Sequence, residues 1–263
     1  MCCAFINALK RTLPLAGFFI AYRLGGVVLR VCKSFRSETV MSDKASLPRL
    51  LDERIVNMLA DARLVEQSLP QCSEIKLWLV DPLPMRRKFT QEEIISIQTY
   101  PAYWAFCWAS GQVLARYILD HPEIVKDKKV MDFGAGSGVV GIAAMMAGAR
   151  EVVCCDIDPD ALLACRANSD LNGVECRFHG DLFTFDESLD LLIAADVLYD
   201  KENLPLLEIF RQKATEVLIG DSRIKNFDFP LYRKIDEQES STVPDLDELD
   251  EFRRVSLYHA IAN

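Results

Sequence analysis

The feature that most constrains this chain is a glycine-rich turn between a predicted strand and a predicted helix. Residues 130–138 read Val-Met-Asp-Phe-Gly-Ala-Gly-Ser-Gly, and residues 139–148, rich in Ala, Ile and Met, are typical of a helix. A strand, a tight turn and a helix in this order open a doubly wound α/β domain that binds a nucleotide-like cofactor. The sequence therefore predicts a mostly parallel sheet with helices on both faces.

The spacing of these glycines differs from that of a dinucleotide-binding turn. Glycines occupy positions 134, 136 and 138, and Val139 stands where the third dinucleotide glycine would fall. The carboxylate of Asp132 would repel a pyrophosphate, but it would attract a ligand with a cationic amino-acid end. S-adenosylmethionine, which carries an ammonium and a sulfonium and no phosphate, fits this pattern.

Acidic residues follow the next two predicted strands. The strand predicted over 151–156 ends at Asp156, which lies 20 residues after Gly136, where a strand-end acid reaches the hydroxyls of a ribose. Asp181 follows the apolar segment 174–178, and its carboxylate can accept a hydrogen bond from an adenine amino group. The alternative is that both acids only cap helices or turns.

Taken in this order, the motifs over roughly residues 90–263 resemble the seven-strand class I methyltransferases, which use S-adenosylmethionine and release S-adenosylhomocysteine. The resemblance implies a seven-stranded Rossmann-like sheet. It also implies a set of cofactor-binding residues around the turn and the two strand-end acids, namely Asp132, Gly134, Ala135, Gly136, Gly138, Asp156, Ile157, Asp181 and Leu182.

The predicted strand 189–195 ends at the sequence Asp196-Val-Leu-Tyr199. Because ligands lie at the carboxyl ends of the strands in such sheets, Asp196 and Tyr199 are predicted to face the transferred methyl group and to bind the substrate. Amino-methyltransferases that act on nucleobases carry an Asn or Asp, two prolines and an aromatic residue at this position. The replacement of the two prolines by Val197 and Leu198 argues against a DNA or RNA base as the substrate.

Two further stretches narrow the resemblance. Residues 103–112, with their Tyr-Trp-Ala-Phe-Cys-Trp run, and residues 217–221, Val-Leu-Ile-Gly-Asp, are similar to the group of lysine methyltransferases that act on the β-subunit of electron-transfer flavoprotein. This resemblance implies that Trp108 and Ala195 line the cofactor. Trp104 is predicted to contribute an aromatic wall to the substrate site.

The predicted activity is methyl transfer to lysine side chains of a protein, either a flavoprotein subunit of this kind or a ribosomal protein. A free lysine has a pKa of about 10.4, so Asp196 is predicted to hold its ammonium and orient the amine. Tyr199 and Trp104 would favour the methylated cation by about 0.5–2 kcal/mol. Three alternatives stay open: that these aromatic residues are only core, that the chain is a small-molecule N-methyltransferase, and that it is a non-catalytic binding module.

Composition excludes some other classes. The chain has a net charge of −9; its first 40 residues hold six basic residues and one acid, so the remaining residues carry −14. An acidic body disfavours binding to nucleic acid and is compatible with a basic protein partner. Nine cysteines without a C-x-x-C pair and three histidines predict neither a metal site nor a disulfide framework, which favours a reducing compartment.

Residues 1–40 differ from the rest. Residues 13–32 are mostly apolar, but Arg23 and Arg30 interrupt them, so they form a poor membrane span. We expect the natural start at Met41 and a cytoplasmic protein without stable membrane association. The alternative is a targeting segment and an organelle matrix or membrane-tethered location. The sequence leaves the oligomeric state open.

The rest of the chain is predicted to form an N-terminal lobe over residues 41–125 and a cofactor-binding domain over 126–263. Asp158 and Pro159 are predicted to begin a helix. The remaining predicted elements are helices over 50–69, 111–119, 159–170 and 202–213, strands over 75–80, 129–133, 215–220 and 254–261, and an acidic loop over 234–251 between the last two strands.

Overall fold

The computed structural model describes residues 46–198, 201–224 and 227–261. The predicted N-terminal extension 1–40 and the predicted start at Met41 lie outside these residues. Within the described ranges, no helix is both long and apolar enough to span a membrane. The six cysteines that fall in these ranges are buried free thiols.

The N-terminal lobe combines a helix, an antiparallel hairpin and two further helices. In chain order they are α1 (Leu47–Ile55), β1 (Leu64–Ser68), β2 (Lys76–Val80), α2 (Pro82–Met85) and α3 (Gln91–Thr99). The helix predicted over 50–69 is therefore wrong in its second half. Residues 64–68 form a strand because they pair with β2, Leu64 lying opposite Val80.

The described residues from 109 onward form four α-helices and a seven-stranded sheet, and the predicted domain boundary between residues 125 and 126 stays a prediction. The helices are α4 (Ala109–Asp120), α5 (Val139–Met146), α6 (Pro159–Leu171) and α7 (Leu206–Lys213). The strands are β3 (Lys129–Phe133), β4 (Glu151–Cys155), β5 (Arg177–His179), β6 (Leu189–Ala195), β7 (Ala214–Asp221), β8 (Arg233–Glu239) and β9 (Arg254–Ile261).

The strand order is β5-β4-β3-β6-β7-β9-β8. Strands β3 to β7 are parallel, and β9 joins β7 and β8 in antiparallel pairs. From β3 the chain winds outward to β4 and β5, and it then returns to β6 on the other side of β3. The order reverses between β3 and β6, and a ligand crevice forms at such a switch point beyond the carboxyl ends of the strands.

Helices cover both faces of the sheet, as predicted. Adjacent strand residues alternate between the faces: Val130 and Leu191 pack in the cluster that includes α4 and α5 residues, whereas Met131 and Leu192 pack in the cluster that includes α7 residues. This alternation buries every central strand on both sides, which is the arrangement of a doubly wound α/β fold.

The outer edge of β2 is closed by two asparagines of α6. Asn168 accepts a hydrogen bond from the amide of Trp78 at 2.7 Å, and Asn172 both accepts from the amide and donates to the carbonyl of Lys76, at 3.0 and 2.6 Å. Asn168 also donates to the carbonyl of Ser137 in the glycine turn, at 2.8 Å. Four residues separate the two asparagines, so one face of α6 substitutes for a third strand beside the hairpin.

Two predicted boundaries in the sheet differ from the structure. The strand predicted over 174–178 is observed at Arg177–His179, where it pairs with β4. The predicted acidic loop 234–251 begins only after Glu239, because residues 233–239 pair with β9 as β8. The connection after β8 folds back on α4, since Val243 and Cys107 exchange two backbone hydrogen bonds of 2.8 Å.

Candidate active site

The turn between β3 and α5 is built from glycines in a left-handed conformation. The φ angles are 66°, 52° and 79° at Gly134, Gly136 and Gly138, values that residues with a Cβ rarely adopt. The amide of Gly134 donates to the carbonyl of Cys155 at 2.8 Å, which fixes the turn to the end of β4. A Cβ on Gly138 would lie 3.1 Å from Cα of Cys165 on α6. The turn is therefore held tightly between its neighbours.

Asp156 connects this turn to the start of α6. Its Oδ2 accepts a hydrogen bond from the amide of Gly136 at 3.0 Å, and its Oδ1 accepts from the amide of Asp158 at 2.9 Å. Asp158 caps α6 by accepting from the amide of Asp160, which confirms the predicted helix start. Burial raises the pKa of Asp156 to about 6, and the two backbone donors oppose this rise. Each carboxylate oxygen retains acceptor capacity for a ligand hydroxyl.

Asp132 lies beneath the turn. It is 2% exposed, and its Oδ2 accepts a hydrogen bond from the amide of Gly141 in the first turn of α5, at 2.9 Å. Burial, with a smaller contribution from the charge of Asp156, raises the pKa of Asp132 to about 7. The sequence predicts that the carboxylate of Asp132 attracts an ammonium group of the ligand. Because Asp132 is buried, this attraction would act across the turn and not through an exposed contact.

Asp181 follows β5 and caps a short 3-10 helix, Leu182–Thr184, by accepting from the amide of Phe183 at 2.8 Å. The apolar residues beside the two strand-end acids are unusually accessible: Ile157 is 54% exposed and Phe183 is 38% exposed. Leu182 and Ala135 are buried. Polar acceptors next to accessible apolar side chains suit a nucleoside, which combines hydroxyls with a flat ring.

The two tryptophans predicted at the site occupy different environments. Trp108 is half-buried immediately before α4, and its indole Nε1 donates to the carbonyl of Tyr103 at 3.1 Å. Trp104 is 1% exposed within the lobe, and its indole donates to the hydroxyl of Tyr100 at 3.3 Å. The structure thus places Trp104 in the core, the alternative that the sequence left open. Its role as an aromatic wall of the substrate site stays a prediction.

Asp196 follows the half-buried Ala195 at the end of β6 and has a φ of 49°, an uncommon value for a non-glycine residue. Its Oδ1 accepts hydrogen bonds from the amide and the hydroxyl of Ser222, at 2.8 and 2.9 Å. Its Oδ2 is buried and has no hydrogen-bond partner among the described residues. A buried acceptor without a partner is costly, and it is a feature of sites completed by a ligand.

Tyr199 lies outside the described residues, and its role stays a prediction. The described residues around it are anchored: Leu198 is buried, and the carbonyl of Val197 accepts from the side-chain amide of Asn203 at 2.8 Å. Val197 also approaches the glycine turn, because a Cβ on Gly134 would lie 3.0 Å from its Cγ1. The strand end that carries Asp196 is therefore packed directly against the cofactor turn.

The sequence reasoning missed a second acid at this edge. Asp221, at the end of β7, is 3% exposed, and its Oδ1 accepts from the amides of Arg223 and Ile224, both at 2.7 Å. Burial, and after it the charge of Asp196, raises the pKa of Asp221 to about 7. The rule that selected Asp156, an acid ending a predicted apolar strand, would also have selected Asp221.

These features fit S-adenosylmethionine. A Cβ built on Gly136 meets nothing nearer than the carbonyl of Gly134 at 3.9 Å, so one side of the turn is open to close approach by a ligand. The strand-end acids Asp156 and Asp181 are predicted to bind its hydroxyl and amino groups. Within the part of the chain that the structure describes, no cluster of three or more His, Cys, Asp or Glu residues could hold a metal ion.

Comparison with known proteins finds relatives among methyltransferases. Residues 113–201 match the sequence model of the family Ribosomal protein L11 methyltransferase (PrmA). The ribosomal protein L11 methyltransferase of Acinetobacter baumannii is 53% identical over 55 residues, which cover 21% of this chain and 18% of that protein. Among solved structures, the 16S rRNA methyltransferase RsmC of T. thermophilus aligns with 77% of this chain and 51% of its own, at 12% identity and a TM-score of 0.49.

A longer match comes from the electron transfer flavoprotein beta subunit lysine methyltransferases. The protein of Mus musculus is 36% identical over 179 residues, which cover 65% of this chain and 69% of that protein. The protein of Homo sapiens is 35% identical over the same length, with 65% and 67% covered. This chain therefore belongs to the family of electron transfer flavoprotein beta subunit lysine methyltransferases, and it is an enzyme that uses S-adenosylmethionine.

Proposed function

We propose that the enzyme transfers methyl groups to lysine side chains of a protein, and that the β-subunit of electron-transfer flavoprotein is its substrate. The name and the 36% identity of the mouse relative support the substrate. Within the structure, the proposal rests on Asp196, which lies at the switch point of the sheet. Its Oδ2 is buried and has no hydrogen-bond partner among the described residues. A cationic side chain would complete this acceptor.

The cofactor would occupy the glycine turn. Asp156 would accept hydrogen bonds from the ribose hydroxyls, and Asp181 would accept one from the adenine amino group. Ile157 would cover one face of the ring, while Trp108 and Ala195 would line the cofactor nearer the substrate. When bound, S-adenosylmethionine supplies an electrophilic methyl group on a sulfonium, and sulfur keeps the electron pair of the broken bond.

The remaining task of the enzyme is to orient a neutral amine toward that methyl group. Asp196 would bind the lysine ammonium through Oδ2 while Ser222 holds Oδ1, so the carboxylate cannot rotate freely. Tyr199 is proposed to lie against the substrate nitrogen, where an aromatic face attracts a methylated cation by roughly 0.5–2 kcal/mol. Alignment of the reacting atoms supplies most of the rate in such a design.

The test incubates the full chain with radiolabelled S-adenosylmethionine and recombinant β-subunit of electron-transfer flavoprotein. Mass spectrometry then locates the methylated lysine. Asp196→Asn is the control, since Asn tolerates a positive φ and still accepts from Ser222. We expect methylation of the subunit, reduced roughly 100-fold or more in the variant. Label only in small molecules, or equal label with both proteins, would contradict the proposal.

A ribosomal protein is the second candidate. The match of residues 113–201 to the L11 methyltransferase family favours it. That match covers the cofactor-binding elements from α4 to the strand-end acid Asp196, and most of the N-terminal lobe and all of β7 to β9 lie outside it. Ribosomal protein L11 therefore enters the same assay as a parallel substrate, and preferential methylation of L11 would replace the first candidate.

A further inference from the structure

Two carboxylates stand side by side at the substrate edge of the sheet. In the pairing of β6 with β7, Ala195 lies opposite Gly220, and Asp196 and Asp221 are the next residues on the two strands. The amide of Asp196 donates to the carbonyl of Gly220 at 2.9 Å, which keeps the strand ends together. Neighbouring strands lie about 4.8 Å apart, so the two acids are direct neighbours.

Each of the two carboxylates has hydrogen-bond partners at only one of its oxygens. Asp196 is held at Oδ1 by Ser222, and Asp221 is held at Oδ1 by the amides of Arg223 and Ile224. The Oδ2 atoms of both acids are buried, and neither has a hydrogen-bond partner among the described residues. Two unpartnered buried oxygens on adjacent acids require a proton, a cation or both.

Arg223, the cation of the described chain that acts on the pKa of Asp221, is already engaged. The guanidinium of Arg223 donates to Glu248, which is 6% exposed, at 2.8 Å, and it lies 4.0 Å from the ring centroid of Phe252. Glu248 is fixed in turn by the hydroxyl of Thr242 at 2.7 Å. The charge of Arg223 lowers the pKa of Asp221 only as a lesser effect. Since Glu248 offsets Arg223, the described residues leave the pair of acids with an excess of negative charge.

We propose that Asp221 is a second substrate-binding carboxylate, which holds the lysine ammonium together with Asp196 and takes up its proton at Oδ2. In this step one N–H bond of the ammonium breaks and one O–H bond forms on Asp221. The electron pair of the broken bond stays on nitrogen as the lone pair that methylation requires. This inference rests on the proposed function, because it assigns the acid pair to a lysine.

The surroundings of Asp221 suit this role. Among the described residues, the charged groups that act on its pKa are Asp196 after β6 and Arg223 on its own connection, and Arg223 pairs with Glu248. Burial and the neighbouring Asp196 raise its pKa to about 7, near the pH at which a base both accepts and releases protons readily. Asp196 stays fixed by Ser222, so binding of the ammonium and removal of its proton fall to two different carboxylates.

The test compares Asp221→Asn with the matched control Asp228→Asn, which removes the same charge from an exposed residue of the same connection. The amide oxygen of the Asp221→Asn side chain can still accept from the amides of Arg223 and Ile224. We expect kcat/KM for the protein substrate to fall roughly 10- to 100-fold in Asp221→Asn. If Asp221 accepts the proton, the wild-type rate rises with pH near 7, and this rise should be absent in the variant. The Kd for S-adenosylmethionine should stay within about twofold of wild type.

A stability measurement separates this role from a structural one. The pKa of Asp221 is raised above its unfolded value of about 3.9, so its contribution to stability is complete below pH 4 and is lost as the pH rises toward 7. Asp221→Asn lacks this loss. Its Tm relative to wild type should therefore increase from pH 5 to pH 8, although its activity falls.

Three results would overturn the inference. Methylation by Asp221→Asn at the wild-type rate, with an unchanged pH profile, would exclude a role in substrate binding. A lower Tm together with weaker cofactor binding would assign Asp221 to the structure alone. A wild-type enzyme that binds S-adenosylmethionine but labels no protein would refute the proposed function, and the assignment of the pair to lysine would fall with it.

Discussion

The acidic residues in the predicted cofactor half of the site and those in the predicted substrate half differ in their hydrogen-bond partners. In the cofactor half, both oxygens of Asp156 accept backbone hydrogen bonds, and Asp132 is tied to the amide of Gly141. In the substrate half, Asp196 and Asp221 each have one bonded oxygen and one buried oxygen that lacks a partner among the described residues. All four lie at or just beyond the carboxyl ends of parallel strands of one sheet, so strand geometry does not explain the contrast.

The difference shows how far the protein's own hydrogen bonds satisfy each group of acids before a ligand binds. Backbone amides of Gly136, Asp158 and Gly141 hold the two acids beside the glycine turn, and a ligand there would use the remaining lone pairs of a preorganised structure. The second oxygens of Asp196 and Asp221 have no donor among the described residues. Leaving these oxygens without a partner is costly, and in the proposed function a cationic group would relieve that cost.

The largest effect that would test this contrast is expected from Asp156→Ala. The substitution leaves the amides of Gly136 and Asp158 without their acceptor and removes the proposed ribose contact. We expect the Kd for S-adenosylmethionine, measured by calorimetry, to rise roughly 10- to 100-fold. Asp196→Asn serves as the comparison, with a Kd within about twofold of wild type. Equal weakening by both substitutions would show that the two halves do not act separately.

A smaller effect is expected from pH. Asp156 has a pKa of about 6 in the cofactor-free protein, so it is about 90% protonated at pH 5 and charged at pH 8. The charged form is the better acceptor, and the Kd for S-adenosylmethionine should therefore be about tenfold higher at pH 5 than at pH 8. Fluorescence titration of wild type and Asp156→Asn measures this directly. An equally steep dependence in the variant would assign the effect to another group.

The smallest effect is expected from Ser222→Ala in the substrate half. It removes the hydroxyl that donates to Asp196 Oδ1 at 2.9 Å and leaves the amide that donates at 2.8 Å. With one of two donors retained, kcat/KM should fall about three- to tenfold while the cofactor Kd is unchanged. Ser256→Ala, on the neighbouring strand, is the control because that hydroxyl bonds to Glu237. Wild-type kcat/KM in Ser222→Ala would show that the hydroxyl does not position Asp196.

The strands that the sequence predicted correctly are those bounded by strong signals. The predictions over 129–133, 189–195 and 254–261 coincide with β3, β6 and β9, because each run is largely apolar and the first two end in or next to an acid or a glycine turn. The prediction of a helix over 50–69 is wrong in its second half, where the chain forms β1. Residues 64–68 are a strand through their pairing with β2, and local periodicity does not contain that partner.

The residues of the candidate site likewise differ in whether the sequence alone could predict them. The glycine turn and the acids after β4 and β5 could be predicted, since they follow their strands directly. The different fates of Trp104 and Trp108 could not, because exposure depends on how the lobe packs against α6. Asp221 was within reach of the sequence rule, but its unpartnered oxygen became apparent only when β7 was placed beside β6.

The asparagines of α6 have a consequence beyond the link between lobe and turn. A two-stranded hairpin has two open edges, and each exposes amides and carbonyls that another extended chain can pair with. Asn168 and Asn172 occupy this row along Lys76 and Trp78. A foreign strand would have to displace two side chains of a packed helix before it could extend the hairpin here. The same residues that join the lobe to the cofactor domain thereby protect that edge from aggregation.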